Sequence, residues 1–250
     1  MQLTMAAIMH FSSFLRALSA LLAGIVLCAS AHAASVARVT HLSGVLTAKS
    51  TEGATRVLAV RSEIHAGDVL STAQETYARI KFVDNAEIVL RPSSRVSIDE
   101  YLYQEEEPAN DKVGISMLKG GLRAVTGALG KRNRDAVSIN TPTATIGIRG
   151  THFGALFCQD DCQSVHTTSG QPPENGLHVD VTDGAIALTN AAGSQVVGTG
   201  QFGYVRDGTT QPVLVPPQQG HPVTMPTSIS QNNNDGRGVG RSNENQCSAQ

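Results

Sequence analysis

The chain has 250 residues, of which 40% are hydrophobic and 16% charged, with 24 Gly, 10 Pro, 4 Cys and no Trp. This composition excludes a multi-span membrane protein, a wholly disordered chain and a disulfide-dense miniature domain. The formal charge of −2 and the aromatic content of 4% give no electrostatic or stacking reason to expect a nucleic-acid partner.

The first 33 residues have the three parts of a secretory signal peptide. Residues 1–16 contain one basic and no acidic residue, residues 17–31 are almost wholly apolar, and Ala31-His32-Ala33 is a small-x-small cleavage site. The apolar run is shorter than the roughly 20 residues that span a bilayer. We therefore expect cleavage between Ala33 and Ala34, a periplasmic mature chain and no stable membrane insertion afterwards. An uncleaved membrane anchor is the alternative.

The domain that follows alternates apolar and polar side chains with a period of two, which is the pattern of half-buried strands. The clearest runs are 77–83, 87–91 and 95–100. Asp84-Asn85 and Pro92-Ser93-Ser94 separate them as turns, the first needing positive φ at Asn85. Further strands are expected over 137–139, 144–148, 152–157, 178–181 and 185–188. The sequence thus predicts an all-β domain of short antiparallel strands.

Glycines mark other features of the domain. The Gly120-Gly121 pair counts against a helix over 115–129 and predicts a turn before a strand at 122–126. The segments 44–70 and 184–202 resemble each other, which predicts similar strand–turn–strand units at both ends of the domain.

Residues 209–250 have the composition of a disordered tail. The last 40 residues contain five Pro and no aromatic residue, and residues 231–236 form the low-complexity run QNNNDG. Such a segment buries too little apolar surface to offset the entropy cost of ordering it. The predicted organisation is therefore a signal peptide (1–33), one all-β domain (34–208) and a tail (209–250).

Several short motifs follow one another in a fixed order within the domain: AGDV at 66–69, ARIKFVDN at 78–85, IVLRPSS at 88–94, INTPTA at 139–144 and IRGTHF at 148–153. In this order they resemble the FecR-type periplasmic domain family over about residues 40–206. Asn85 stands where the family usually has Gly, a mild departure because both residues accept positive φ.

The resemblance implies short strands in a twisted sandwich or solenoid-like arrangement, used for sensing or interaction and not for catalysis. Founding members of the family are membrane sensors that regulate a sigma factor and contact an outer-membrane receptor. Here 16 residues precede the apolar run, too few for a folded cytoplasmic regulator. We therefore expect a free-standing exported module that binds an envelope protein. A membrane-tethered signalling regulator and an exported carbohydrate-binding module are the alternatives.

Cys158 and Cys162 lie four residues apart in a chain expected to reach an oxidising compartment, so a disulfide between them is expected. Free thiols are one alternative. A zinc site is the other, because His152 and His166 flank the pair with the spacing His-x5-Cys-x3-Cys-x3-His.

Four residues are candidate partner contacts. Arg149 and Thr151 adjoin a glycine, and an Arg presented beside a glycine turn can contact a partner. Arg123 and Arg132 belong to a basic stretch close in sequence to the acidic run 105–107. This pattern is also typical of two solvated loops of opposite charge.

No cofactor and no catalytic site are expected. The sequence has neither a Gly-x-Ser-x-Gly elbow nor a His-Glu-x-x-His motif. Residues 198–203 match the dinucleotide fingerprint by letter, but strand patterns flank them on both sides, where that fingerprint needs a following helix. These glycines are expected to form a turn before a closing strand.

Overall fold

The computed structural model describes residues 34–148, 150–165 and 170–230. Residues 1–33, where the signal peptide is predicted, lie outside the described residues, as do Arg149 and His166. The described part contains 17 strands and two short α-helices, which confirms the all-β class. None of its helices is long and apolar enough to cross a membrane.

The elements follow the predicted order along the chain. The first eight strands are β1 (Ser35–Ser43), β2 (Leu46–Lys49), β3 (Thr55–Leu58), β4 (Glu63–His65), β5 (Val69–Thr72), β6 (Tyr77–Phe82), β7 (Glu87–Leu90) and β8 (Arg95–Leu102). The others are β9 (Lys112–Val125), β10 (Val137–Asn140), β11 (Thr145–Ile148), β12 (His152–Cys158), β13 (Gly176–Asp183), β14 (Ala185–Asn190), β15 (Gly193–Gly198), β16 (Phe202–Val205) and β17 (Val213–Val215). The helices are α1 (Ala128–Arg132) and α2 (Thr227–Ser230), and 3-10 turns occupy Pro108–Asn110 and Arg134–Ala136.

The strands form two sheets that share β9. Sheet A has the order β4-β1-β6-β7-β9-β12-β13-β16-β17. Sheet B has the order β3-β2-β5-β8-β9-β10-β11-β14-β15. All pairs are antiparallel except β9–β10. The hairpins β2–β3 and β14–β15 lie at opposite edges of sheet B, where the sequence predicted two similar units.

Strand β9 passes from one sheet to the other at Gly120. Its first half pairs with β8 and β10 in sheet B, and its second half pairs with β7 and β12 in sheet A. Gly120 has φ +79°, and the Ser94 side chain both accepts from Gly121 N and donates to Gly121 O at 2.9 Å. The predicted turn at Gly120-Gly121 is therefore wrong, because the glycine pair bends a continuous strand.

The inner faces of both sheets pack into one apolar cluster, which confirms the predicted sandwich. Sheet A contributes Ile80, Leu122 and Phe153 to it, and sheet B contributes Leu46 and Ile146. The period of two seen in the sequence arises here, because each sheet turns alternate residues toward this cluster.

A buried carboxylate closes one end of the sandwich. Asp84 lies in the turn after β6, where Asn85 has the predicted positive φ of 65°. The Asp84 carboxylate accepts hydrogen bonds from Ala86 N at 2.9 Å, Leu129 N at 3.1 Å and the Tyr101 hydroxyl at 2.5 Å. Burial, followed by the charge of Asp84, raises the pKa of Tyr101, so this hydroxyl stays protonated and donates. The turn, α1 and β8 are thereby tied together.

The folded part of the chain extends beyond the predicted boundary at Gly208. Strand β17 pairs with β16, and the side chains of Val223, Met225 and Ile229 are buried in a second apolar cluster. Within the segment 209–250 that is predicted to be a disordered tail, residues up to 230 therefore include a strand and buried aliphatic side chains. Residues 231–250 lie outside the described part of the chain.

The bend in β9 predicts a difference between two glycine variants with similar φ. A Cβ at Gly120 would lie 2.6 Å from Ser94 Cα, whereas a Cβ at Gly200 (φ +77°) has no atom within 4 Å. We expect Gly200→Ala to lower the free energy of unfolding by about 1 kcal/mol through backbone strain alone. Gly120→Ala adds an overpacking cost and should lose about 2–4 kcal/mol. Equal losses in urea unfolding would contradict the assigned geometry.

Candidate functional site

The outer face of sheet A is covered by a segment that belongs to neither sheet. We call residues 216–230 the C-terminal strap. Along it, His221, Val223 and Met225 are buried, while Thr224 and Pro226 are exposed. Between His221 and Pro226 the strap therefore turns alternate side chains toward the sheet, with a γ-turn centred on Val223, and it ends in α2.

Three residues in a row across sheet A hold the strap. Arg123 on β9 is paired in register with Gly154 on β12, which in turn is paired with Asp180 on β13. We call these three residues the backbone clamp. Arg123 and Asp180 are each only 7% exposed and form an ion pair at 3.1 Å. Since they are 57 residues apart in the sequence, only the sheet brings them together.

The clamp binds both backbone polar groups of Val223. Arg123 Nη1 donates to Val223 O at 2.8 Å, and Val223 N donates to Asp180 Oδ1 at 2.9 Å. Gly154 makes room for the Val223 side chain, because a Cβ at Gly154 would lie 2.5 Å from Val223 Cβ. The ion pair thus satisfies the backbone N–H and C=O of a buried residue that lies outside any strand ladder.

The remaining donors of Arg123 also have partners. Arg123 Nε donates to His152 Nε2 at 2.8 Å, and Nη2 donates to the Thr182 hydroxyl. His152 accepts at Nε2, so its imidazole is neutral in this arrangement. Burial lowers the pKa of His152 to about 4, the positive charge of Arg123 acts in the same direction, and Asp183 opposes both.

Two of the predicted partner contacts are part of the folded interior. Arg123 belongs to the clamp, and Thr151 is 3% exposed, with backbone hydrogen bonds to Thr126. Both side chains are buried in this structure, and their predicted partner contacts stay predictions. Arg149 lies outside the described residues, and its predicted contact stays a prediction.

Arg132 holds the acidic loop 104–107. Its guanidinium makes two hydrogen bonds to Asp111, at 2.7 and 2.8 Å, and donates to the carbonyl oxygens of Gln104 and Glu105. It also lies 4.6 Å from the ring centre of Tyr103. The hydrogen bonds from Arg132 lower the pKa of Asp111. The basic and acidic stretches that the sequence placed near each other are therefore joined through this one side chain.

Cys158 and Cys162 form the predicted disulfide, with their Cα atoms 5.5 Å apart. The alternative zinc site has no support here, because Arg123 occupies His152 Nε2 and both sulfurs are bonded to each other. His166, its fourth proposed ligand, is outside the described residues. Within the described ranges, no group of three or more His, Cys, Asp or Glu side chains could hold a metal ion.

A groove of about 700 Å³ opens beside the disulfide. We call it the disulfide groove; its polar lining residues include Gln74, Glu75, Arg91, Lys119 and Asp161. Lys119 and Asp161 form an ion pair at 3.3 Å along one wall. Leu156 and Cys162 line the groove and also belong to the apolar cluster beneath the strap. The groove and the strap are therefore neighbouring parts of one outer surface.

The comparison with known proteins fits this architecture. The family model described as FecR protein matches residues 68–187. Over this range the chain is similar to the FecR family. This match includes all three clamp residues and both cysteines, while the strap follows the matched range.

Two crystal structures of a candidate anti-sigma factor from Parabacteroides distasonis are similar to the chain, with TM-scores of 0.42 and 0.43 and sequence identities of 12% and 11%. Each alignment covers 59% of this chain and 58% of that protein, so the chain matches less than two thirds of its length. No curated protein sequence matches the chain significantly.

The FecR motifs in this chain have structural roles. Asp68 is buried, accepts from His65 N at 2.8 Å and pairs with Arg56, which fixes the turn before β5. Asp84 and Ser94 secure the β6–β7 turn and the bend of β9, respectively. The clamp was missed because Gly154 and Asp180 are single residues within apolar runs. The sequence signal for the clamp was a charged residue between apolar neighbours in each strand, Arg123 in β9 and Asp180 in β13.

The neutral state of His152 predicts a pH dependence. Its pKa in the folded chain is about 4, below the ordinary value of 6.5, so the unfolded chain binds a proton first as the pH falls. The free energy of unfolding should therefore decrease from about pH 6.5 to about pH 4. His152→Gln keeps an acceptor for Arg123 Nε and removes this contribution. Urea titrations across that range should show a smaller decrease for the variant; equal slopes would contradict the assignment.

Proposed function

We propose that this chain is an exported, non-catalytic FecR-type module that senses conditions in the periplasm by binding an envelope protein. The similarity to the FecR family over 68–187 carries the proposal. Disulfides persist in oxidising compartments, so the Cys158–Cys162 bond supports export, as does the signal-peptide pattern of residues 1–33.

The disulfide groove is the surface that we propose for this partner. Its lining combines both charge signs with apolar side chains, as protein interfaces do. Tyr77, at the start of β6, and Arg91, directly after β7, line it, and both residue types are enriched at interface hot spots. The disulfide fixes the loop that forms one rim, so little loop ordering would oppose binding.

The carbohydrate-binding alternative loses its best candidate residues. Sugar sites usually rest on exposed aromatic rings, and Tyr101 and Tyr103 form the closest Tyr pair in the sequence. Tyr101 is buried and stacked on Phe82 at 4.5 Å, while Tyr103 lies under Arg132. A membrane-tethered form of the same module requires residues 1–33 to be retained, which the experiment below distinguishes.

The test uses the full-length protein in its own cells, with a photo-crosslinking amino acid at Gln74 in the groove. Val57, which is 74% exposed and lies outside the groove, provides the control position. We expect a discrete adduct from position 74 in the periplasmic fraction, none from position 57, and a mature chain that begins at Ala34.

Three results would contradict the proposal. Identical adducts from both positions would show that the groove is not the contact surface. A chain confined to the cytoplasm would exclude export. A chain that keeps Met1 and fractionates with the inner membrane would favour the tethered regulator.

A further inference from the structure

We propose that the backbone clamp is an exchangeable peptide-binding site, which the chain's own strap fills in cis and a peptide from a partner can fill in trans. The peptide would present a small β-branched residue, followed two positions later by a long unbranched apolar residue. This proposal concerns the clamp alone and does not depend on what binds the disulfide groove.

The clamp binds the backbone N–H and C=O of one residue and leaves little space for that residue's side chain. Arg123 and Asp180 bind the carbonyl and amide of one residue, a pair of contacts that any residue except proline can make. Selectivity comes from Gly154, over which Val223 is fully buried. A compact β-branched side chain fits there, whereas an acidic one would be buried beside Asp180 without a partner.

A second contact between the strap and sheet A lies two residues further along the strap. Met225 and Ile229 pack with Val89, Leu156 and the disulfide sulfurs in the apolar cluster on the outer face of sheet A. Thr224, between the two seated residues, is exposed. Around the γ-turn at Val223, the bound side chains are thus two positions apart, and the side chain between them lies in solvent.

The strap can leave this surface without breaking either sheet. Thr224 N and Ile229 N donate to Pro222 O and Pro226 O, so these backbone bonds are internal to the strap. At the clamp, the strap is joined to sheet A through the backbone of Val223. A segment that lies outside both strand ladders can open locally, at a free energy below that of global unfolding.

The chemistry of the clamp suits a surface that is alternately covered and open. A buried ion pair adds little stability compared with apolar residues of similar volume, so it is poorly explained as a device for packing the strap. Arg123 and Asp180 become hydrated when the strap leaves, and they orient the backbone of whichever peptide returns. If apolar residues replaced Arg123 and Asp180, they would be exposed to water whenever the strap is open, and an exposed apolar surface promotes aggregation.

The test measures binding of a fluorescent peptide with the sequence of residues 216–230 to full mature chains. In wild-type protein the tethered strap competes at an effective concentration on the order of 1 mM. Val223→Asp unseats the strap by placing a carboxylate beside Asp180. We expect this variant to bind the peptide at least tenfold more tightly than wild type. The same peptide with Asp in place of its Val should bind at least tenfold more weakly than the unchanged peptide.

A double variant and a cleaved chain complete the design. Adding Asp180→Asn to Val223→Asp should weaken binding at least tenfold, because the amide of Val in the peptide loses its charged acceptor. If Val223→Asp does not fold, a protease site inserted between Gln218 and Gln219, both exposed, frees the strap from the wild-type sandwich. Labelled peptide should then replace it.

Two results would overturn the proposal. One is a folded Val223→Asp variant, with its disulfide intact, that binds neither peptide or binds both equally. The other is a cleaved chain that keeps its strap against a hundredfold excess of labelled peptide. Either result would make the strap a permanent part of the fold.

Discussion

The guanidinium of Arg123 is the interaction on which the outer surface of this protein depends. It is bound to Asp180 across the intervening strand, to His152 on that strand, and to the backbone of Val223 in the strap. Each partner is needed because an unsatisfied guanidinium at 7% exposure would cost several kcal/mol. The neutral state of His152 and the position of Val223 over Gly154 both follow from this requirement.

The position of Arg123 depends in turn on the course of β9. This strand crosses from sheet B to sheet A at Gly120, three residues before Arg123, and Ser94 fixes the crossing. Residues of the FecR-like motifs therefore build the frame, and residues outside these motifs use it to bind the backbone of Val223. The residues that fix the bend of β9 and the residues of the clamp are therefore different.

The strands could be predicted from the sequence because one face of each sheet is buried in a continuous core. Positive φ at Asn85 and the disulfide between Cys158 and Cys162 could also be predicted, since both depend on local chemistry. The Gly120-Gly121 bend could not, because a left-handed glycine serves a turn and a strand crossing equally well. Nothing local distinguishes the two.

The strap and the clamp could not be predicted from the sequence for a different reason. Proline and glutamine around Val223 and Met225 give the composition of a disordered segment, although two or three buried aliphatic side chains and one ion pair suffice to hold it. Arg123 and Asp180 meet only through the order β9-β12-β13. Arg123 was therefore predicted to contact a partner, whereas in this structure it holds the chain's own backbone.

The central claim is that the strap is a local unit, held by the clamp and able to open independently of the sandwich. Amide hydrogen exchange at Val223, compared with Ala155 in the middle of sheet A, tests this claim most directly. We expect Val223 to be protected yet to exchange much faster than Ala155. In Asp180→Asn, the protection of Val223 should largely disappear while Ala155 keeps most of its own. Exchange of both amides at one common rate, shifted equally by the substitution, would contradict the account.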